Sequence, residues 1–218
     1  MKKTPLKNDI LTVLVEIRQI QKLYLHYIGF HIVFHNAILL HSCYNKITRT
    51  GYRGYCQEKM NIEIICIGKL KEKYWKDAID DYSSRLNRYC RFHIIEMKES
   101  RLPGNPSKAD EENVKKAEGT SILGALRERM YVIALDVQGR KMSSEQLAAH
   151  IEEHRNAGTG TMAFIIGGSL GLSEEVLRRA DLRLSFSPMT FPHQMMRVIL
   201  AEQIYRSFKI IHHETYHK

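Results

Sequence analysis

Two stretches, residues 165–176 (IIGGSLGLSEEV) and 185–197 (SFSPMTFPHQMMR), hold most of the side chains whose types and spacing suit ligand chemistry. In the first, glycines let backbone amides approach a bound group, and the helix that follows offers unpaired N–H groups at its start. A nucleotide-like ligand fits that arrangement, and so does a tight strand-to-helix turn that binds nothing. A dinucleotide is not indicated, because GxGxxG is absent, the turn follows the fourth strand instead of the first, and no acidic residue stands at the later ribose-binding position. In the second stretch two prolines bracket an apolar, hydroxyl-bearing loop formed by Phe186, Ser187, Pro188, Met189, Thr190 and Phe191. Such a stiff loop either preorganises one edge of a pocket or packs as a core connection. His193 and Arg197 follow it, one helical turn apart and therefore on one face.

Those residues need elements to hold them. From residue 61 onward short β-rich runs alternate with helical patterns, the signature of an α/β domain with a largely parallel sheet. NIEIICIG predicts the first strand, and Tyr74, Trp75, Ile79, Tyr82 and Leu86 recur at helical spacing across 72–89. FHIIEM predicts the second strand, and the loop ESRLPGNPS then leads to a Glu- and Lys-rich, largely solvated helix over 108–126. YVIALDV is the third strand, turned by Gln138 and Gly139, after which Ser143 and Ser144 supply the cap of a helix over 145–154. MAFIIGG is the fourth strand, Ser173 caps a helix over 174–180, LRLSFS is the fifth strand, and the last helix spans 193–210. Apolar side chains cover too much of that helix's circumference for one buried stripe, Met195, Val198, Ile199 and Tyr205 among them. One side is expected to face the core and the other a second copy of the chain.

Charge narrows the partners. The chain carries a formal +9, but residues 1–59 hold nine Lys/Arg against three Asp/Glu, which leaves +3 for residues 60–218, from 24 basic and 21 acidic side chains. Affinity for RNA must then come from a local patch or from shape. Arg85, Arg88 and Arg91 are one candidate patch, with a solvated helix face as the alternative. Four cysteines without CxxC or zinc spacing point to neither a disulfide framework nor a metal site, and a reducing cytoplasm fits.

Residues 1–59 read differently from the rest. Residues 23–45 lack any formal charge, yet His26, His31, His35 and His41 are too polar for a membrane span, and basic residues flank both sides. The expectation is an extension outside the working domain, from a mis-assigned start or as a loose appendage, with a membrane anchor as a third reading.

IGKLKEKYW, LDVQG, FIIGGSLGLS, SFSPMTFPHQMMRVILAEQIYR and the terminal YHK, in this order and spacing, resemble the bacterial large-subunit (23S) rRNA pseudouridine N3-methyltransferase family of the SPOUT superfamily, over residues 60–218. The family's members begin at the methionine matching Met60, so residues 1–59 are the departure from its pattern. The resemblance implies an α/β fold in which helices flank a parallel-stranded sheet and the C-terminal part forms a trefoil knot. It implies a cytoplasmic homodimer that uses S-adenosylmethionine, needs no metal and acts on rRNA in the ribosome. By position it puts Leu135, Gly167 and the run Phe186, Ser187, Pro188, Met189, Thr190 and Phe191 around the cofactor. It puts His193, Arg197, Tyr216, His217 and Lys218 near the acceptor base.

The residues are compatible with that chemistry. Leu135 and Gly167 end parallel strands, where ligands of α/β sheets bind, and a side chain at Gly167 would intrude where backbone must meet an adenosyl group. An imide N–H is a poor nucleophile until deprotonated, so a base or stabilising cations are needed near the methyl donor. The alternative readings are that His193 serves only to start the last helix, that Arg197 holds a phosphate or a carboxylate across an interface, and that the last three residues are a frayed tail. A SPOUT enzyme acting on tRNA or another rRNA base, and an RNA-binding module without catalysis, are the alternatives.

Overall fold

In the first strand, β1 (Asn61–Ile67), Ile62, Ile64 and Cys66 enter one core while Ile65 and Ile67 enter another. A strand buried in that way belongs inside a sheet covered on both faces. The structure is a computed structural model that describes residues 59–216. After β1 come α1 (Lys73–Leu86), β2 (Arg91–Met97), α2 (Lys108–Ala125), β3 (Met130–Lys141), α3 (Ser144–Asn156), β4 (Thr161–Ile166), α4 (Glu174–Arg179), β5 (Leu182–Ser185) and α5 (His193–Ile211). The five strands form one sheet in the order β2-β1-β4-β3-β5, with every pairing parallel. The expected α/β class, a parallel sheet flanked by helices, is therefore what forms.

Alternation along the strands decides the layers. Met162, Phe164 and Ile166 of β4 join the core of α1, α3 and α5, whereas Ala163 and Ile165 join that of α2 and α4. α5 packs against both α1 and α3 and is deeply buried along Leu200, Ala201, Ile204 and Phe208. Val198, Ile199 and Tyr205 on its remaining side are only half-buried. The residues expected to form an extension, 1–59, lie outside the described residues except for Lys59, and so does the uncharged run 23–45. Among the described residues no helix is long and apolar enough to cross a membrane. Cys66 and Cys90 are free thiols, and burial pushes the first up to about 11 and the second to about 12, well away from reactive thiolates.

Three local expectations need qualification or correction. α2 is largely solvated as expected, yet Glu118, Gly119 and Ile122 are buried on one side of it. Ser173 stands at the N-cap of α4, but its side chain makes no capping bond. Ser107 and Ser143 do cap α2 and α3, each in a reciprocal box with Asp110 and Gln146 respectively.

The third correction governs the site. Gln138 and Gly139 do not turn the chain out of the sheet, because β3 continues to Lys141. Leu184 of β5 is the register partner of Leu135 and again of Arg140, with a shift between them. β3 thus bends around β5 and touches it twice. Arg183 donates from Nε to the Asp136 carboxylate at 2.8 Å and forms a second, shorter contact through Nη2, while Ser185 Oγ donates to the Val137 carbonyl at 3.0 Å. A Cβ on Gly139 would lie 2.7 Å from the Arg183 carbonyl carbon and 2.8 Å from the Leu184 nitrogen, so the bend needs glycine there for want of space.

Gly139→Ala is accordingly expected to cost about 1–3 kcal/mol through forced backbone shifts. Gly124→Ala, in a helix with nothing within 4 Å of the added carbon, should gain about 0.4–1 kcal/mol. Urea unfolding of both variants measures the contrast, and equal stabilities would mean that β3 accommodates the methyl group by moving off β5.

Candidate active site

At the carboxyl ends of β3, β4 and β5 the chain leaves the sheet in three loops that enclose a recess. Open crevices of parallel α/β sheets lie at this end because the connections there diverge. The recess opens to solvent at its mouth, and its mainly apolar lining with a few polar groups is the make-up of a small-molecule site. Leu135, Asp136 and Val137 come from the bent part of β3, Gly167, Gly168 and Gly171 from the turn after β4, and Phe186, Ser187, Met189, Thr190 and Phe191 from the loop after β5. Ile166, Leu184 and Met196 complete an apolar floor. Of the residues expected to hold the ligand, Pro188 alone is not in the lining, and it is exposed.

The loops are held by their own bonds. Ser187 Oγ accepts from the Met189 amide at 3.0 Å, and the Gly171 amide donates to the Gly168 carbonyl at 3.1 Å with Gly171 at φ +82°. A Cβ on Gly167 would lie 2.8 Å from the Gly171 carbonyl. The expected intrusion of a side chain at Gly167 therefore falls on the turn's own backbone. A Cβ on Gly168 would meet Oε2 of Glu118 at 2.8 Å. Glu118 is buried beneath the turn, accepts from the Ser100 amide at 3.0 Å, and is raised above the ordinary carboxylate range by burial. It is hydrogen-bonded to the loop after β2 and lies against the turn after β4.

His193, the first residue of α5, lines the same recess. Burial holds its imidazole below the ordinary histidine range, aided by the cations Arg197 and Lys71 and opposed by Glu99. Its neutral form is favoured relative to that of a free imidazole. Arg197 has no exposed surface. Its Nη1 donates to Glu96 Oε1 at 2.9 Å, and its Nη2 donates to the Ile67 and Gly68 carbonyls at 2.6 and 3.2 Å. Contact with an RNA phosphate or a partner's carboxylate, expected from the sequence, is not open to a guanidinium enclosed in this way. Arg197 instead holds the loop after β1 to α5, helped by Gln194, whose Oε1 accepts from the Lys71 amide at 3.1 Å.

Tyr216 is placed elsewhere. Its hydroxyl donates to Glu202 Oε1 at 3.2 Å, and Arg206 lies 4.9 Å from its ring centroid. Burial, with Glu202 adding, pushes its phenol to about 12. Glu202 is nine residues past His193 on α5, about 13 Å along the helix, so one chain does not bring Tyr216 to His193. His217 and Lys218 lie outside the described residues. Arg88 and Arg91 stand at the amino end of β2, away from the recess, and Arg85 is paired with Asp81 at 2.8 Å.

A family model described as "Predicted SPOUT methyltransferase" matches residues 60–217. The chain belongs to the SPOUT methyltransferase family. Among curated relatives it is 58% identical to the ribosomal RNA large subunit methyltransferase H of Clostridium novyi and 57% identical to that of Alkaliphilus oremlandii, each over 159 residues that cover 73% of this chain and the whole relative. A protein of the same name from Clostridium botulinum is 54% identical over the same length. The chain is therefore a methyltransferase.

Sequence reading of this SPOUT enzyme missed Asp136, Glu96 and Glu118. Glu96 carried a signal, as a carboxylate that follows two isoleucines near the end of the second strand in FHIIEM. Its partner is 101 residues away, and no local pattern links the two. Arg197→Met should destabilise the fold by about 2–4 kcal/mol, because two carbonyls and Glu96 lose a charged donor. Denaturant unfolding tests it, and a loss below 0.5 kcal/mol, within the usual range for surface substitutions, would show that water replaces the guanidinium.

Proposed function

We propose that the chain transfers a methyl group from S-adenosylmethionine to N3 of a pseudouridine in large-subunit (23S) ribosomal RNA, working in the cytoplasm as a homodimer on the ribosome. The observation that carries this reading is the recess where three loops meet at the carboxyl ends of β3, β4 and β5, in a family of methyltransferases whose curated relatives are named for large-subunit rRNA. Its residues fit an adenosyl group. Leu135, Ile166, Leu184 and Phe186 offer apolar walls for a base, and Ser187, Thr190 and the amides of the two loops offer polar groups for a ribose and an amino-acid end. S-adenosylmethionine supplies an electrophilic methyl carbon on a sulfonium centre. The C-terminal part is proposed to carry the trefoil knot of the superfamily, and the half-buried Val198 and Ile199 on α5 support a second copy there.

The protein's part is orientation and proton transfer. The imide N3–H must give up its proton as the N–CH3 bond forms, and the neutral imidazole of His193 is a base within the recess that can take it. Tyr216, His217 and Lys218 are proposed to meet the acceptor base from a second chain, since Tyr216 is held on its own α5 away from His193. Residues 60–218 are proposed to be the whole working unit, in keeping with relatives aligned along their entire length over 159 residues.

The purified chain, given labelled S-adenosylmethionine and ribosomes from a strain lacking the modification, should leave the label on a pseudouridine of 23S rRNA, located by mass spectrometry of fragments. Label on tRNA or on another base would replace this reading with the corresponding one. A base that works when neutral loses activity as pH falls, and the imidazole lies below the ordinary 6.5. The acid limb of kcat should therefore lie below 6.5, and His193→Gln should remove it and lower kcat by roughly 100-fold. An unchanged limb in that variant would assign the proton to another group.

Removal of residues 216–218 is expected to lower turnover on the order of tenfold or more with cofactor affinity kept within about twofold, the pattern of a group that meets the acceptor. Calorimetry and single-turnover assays separate the two quantities. Full turnover in the truncated enzyme would return the tail to a frayed end.

A further inference from the structure

The segment IGKLKEKYW is part of the family resemblance, yet none of its side chains lines the recess. It follows β1 at the carboxyl end of the sheet and opens α1. Lys69, Lys71, Lys73 and Lys76 are all exposed, and among the described residues none of their ammonium groups takes part in a salt bridge or a hydrogen bond that pairs Lys71, Lys73 or Lys76 with a carboxylate. With Glu72 the run 69–76 carries a net +3, equal to the net charge of residues 60–218 as a whole. The excess positive charge of the domain is thus matched by eight consecutive residues. Lys98 and Arg101, on the loop after β2 at the same end of the sheet, are exposed as well.

An aromatic ring stands within this charge. Tyr74 is 60% exposed, the largest such figure among the described aromatic residues. Its ring centroid is 4.8 Å from that of Trp75, which packs on the core and so fixes the side from which Tyr74 projects. The segment is anchored too. The Arg197 guanidinium holds the Ile67 and Gly68 carbonyls, Glu96 Oε1 accepts from the Leu70 amide at 2.8 Å, and Gln194, the neighbour of His193, accepts from the Lys71 amide. A rigid, basic, aromatic-bearing segment is therefore fixed to the helix start that lines the recess.

We propose that residues 69–76 form the RNA-docking surface of the enzyme, with Tyr74 stacking on an unpaired base of the substrate loop and Lys69, Lys71 and Lys73 neutralising the phosphates beside it. The assignment rests on the rRNA reading above and adds to it where the RNA lies. Exposed aromatic rings among cations bind single-stranded nucleotides because every base has a face to stack, while phosphates bind the surrounding charge. Unpaired loop bases can leave their stack to be held in this way, which paired bases in a deep A-form groove cannot. The acceptor base, too, must be unstacked to reach a recess beside His193.

The test uses the full chain, a fluorescent RNA hairpin with an unpaired loop, and the ribosomal methylation assay. Tyr74→Ala should weaken hairpin binding roughly tenfold and raise KM for ribosomes by a similar factor, with kcat and S-adenosylmethionine affinity little changed, and Tyr74→Phe should restore both. The triple variant Lys69→Gln, Lys71→Gln, Lys73→Gln should reduce the slope of log affinity against log salt by about 0.7–0.9 per lysine removed. Wild-type RNA affinity and salt slope retained in both variants would overturn the proposal while leaving the methylation reading intact. Hairpin binding lost in the variants of a wild-type chain that methylates no rRNA would keep the surface and overturn that reading. Dissociation of a dimer by Tyr74→Ala, seen by light scattering, with RNA affinity unchanged, would make the patch a contact with a second copy and overturn it as well.

Discussion

The site depends on one steric constraint, the double contact of β3 with β5. Leu184 can partner both Leu135 and Arg140 only if the chain between them bends around β5, and the bend closes only because Gly139 has no side chain to strike the Arg183 backbone. Asp136 and Ser185 then fasten the two strands on either side of that point. As a result Leu135 to Val137 and Phe186 to Phe191, about 50 residues apart in sequence, leave the sheet side by side as opposite walls of one recess. The stiff loop between Pro188 and Pro192 would wall nothing if β5 were free to slide in register, since a slip of one residue exchanges the faces of a strand.

A second tie brings the other half of the carboxyl end into line. Arg197 is fully buried, a placement that a cation tolerates only when it is paired. Two backbone carbonyls and Glu96 meet the two Nη groups while Nε is left without a partner among the described residues, so the guanidinium acts through its Nη groups as a joint between β1, β2 and α5. The same cation helps keep His193 neutral from one turn away. Structure and electrostatics are coupled here, because the group that fixes the first turn of α5 also disfavours a proton on the imidazole at its start.

Much of this architecture was legible in the chain. Short apolar β-rich runs and helical patterns mark the five strands and five helices of the described residues, and the family motifs imply that the loops holding Leu135, Gly167 and Phe186 come together, as they do around the recess. Three kinds of feature were not legible. A Gln-Gly pair reads locally as a turn, and only the presence of β5 makes it a bend inside a strand. Glu118 reads as one more charge on a polar helix, and only the Gly168 turn above it explains its burial. Arg197 reads as a free cation on the face of His193, because the carbonyls it binds lie about 130 residues away. In each case the partner is remote in sequence, and a single chain read without its fold carries no local signal for a remote partner.

The placement of Tyr216 gives the remaining step. Within one chain its hydroxyl is engaged by Glu202 and its ring by Arg206, more than two turns of α5 away from His193. A single chain therefore presents the walls suited to a methyl donor and one neutral base, while the tail proposed to meet the acceptor is fastened elsewhere. Half-buried Val198 and Ile199 lie on the same helix between those two points. A second copy set against them would cover the apolar surface and could bring one chain's tail towards the other's recess in the same contact. On that arrangement dimerisation is part of building the acceptor site, because the group that meets the base is then held by a chain other than the one that holds the donor.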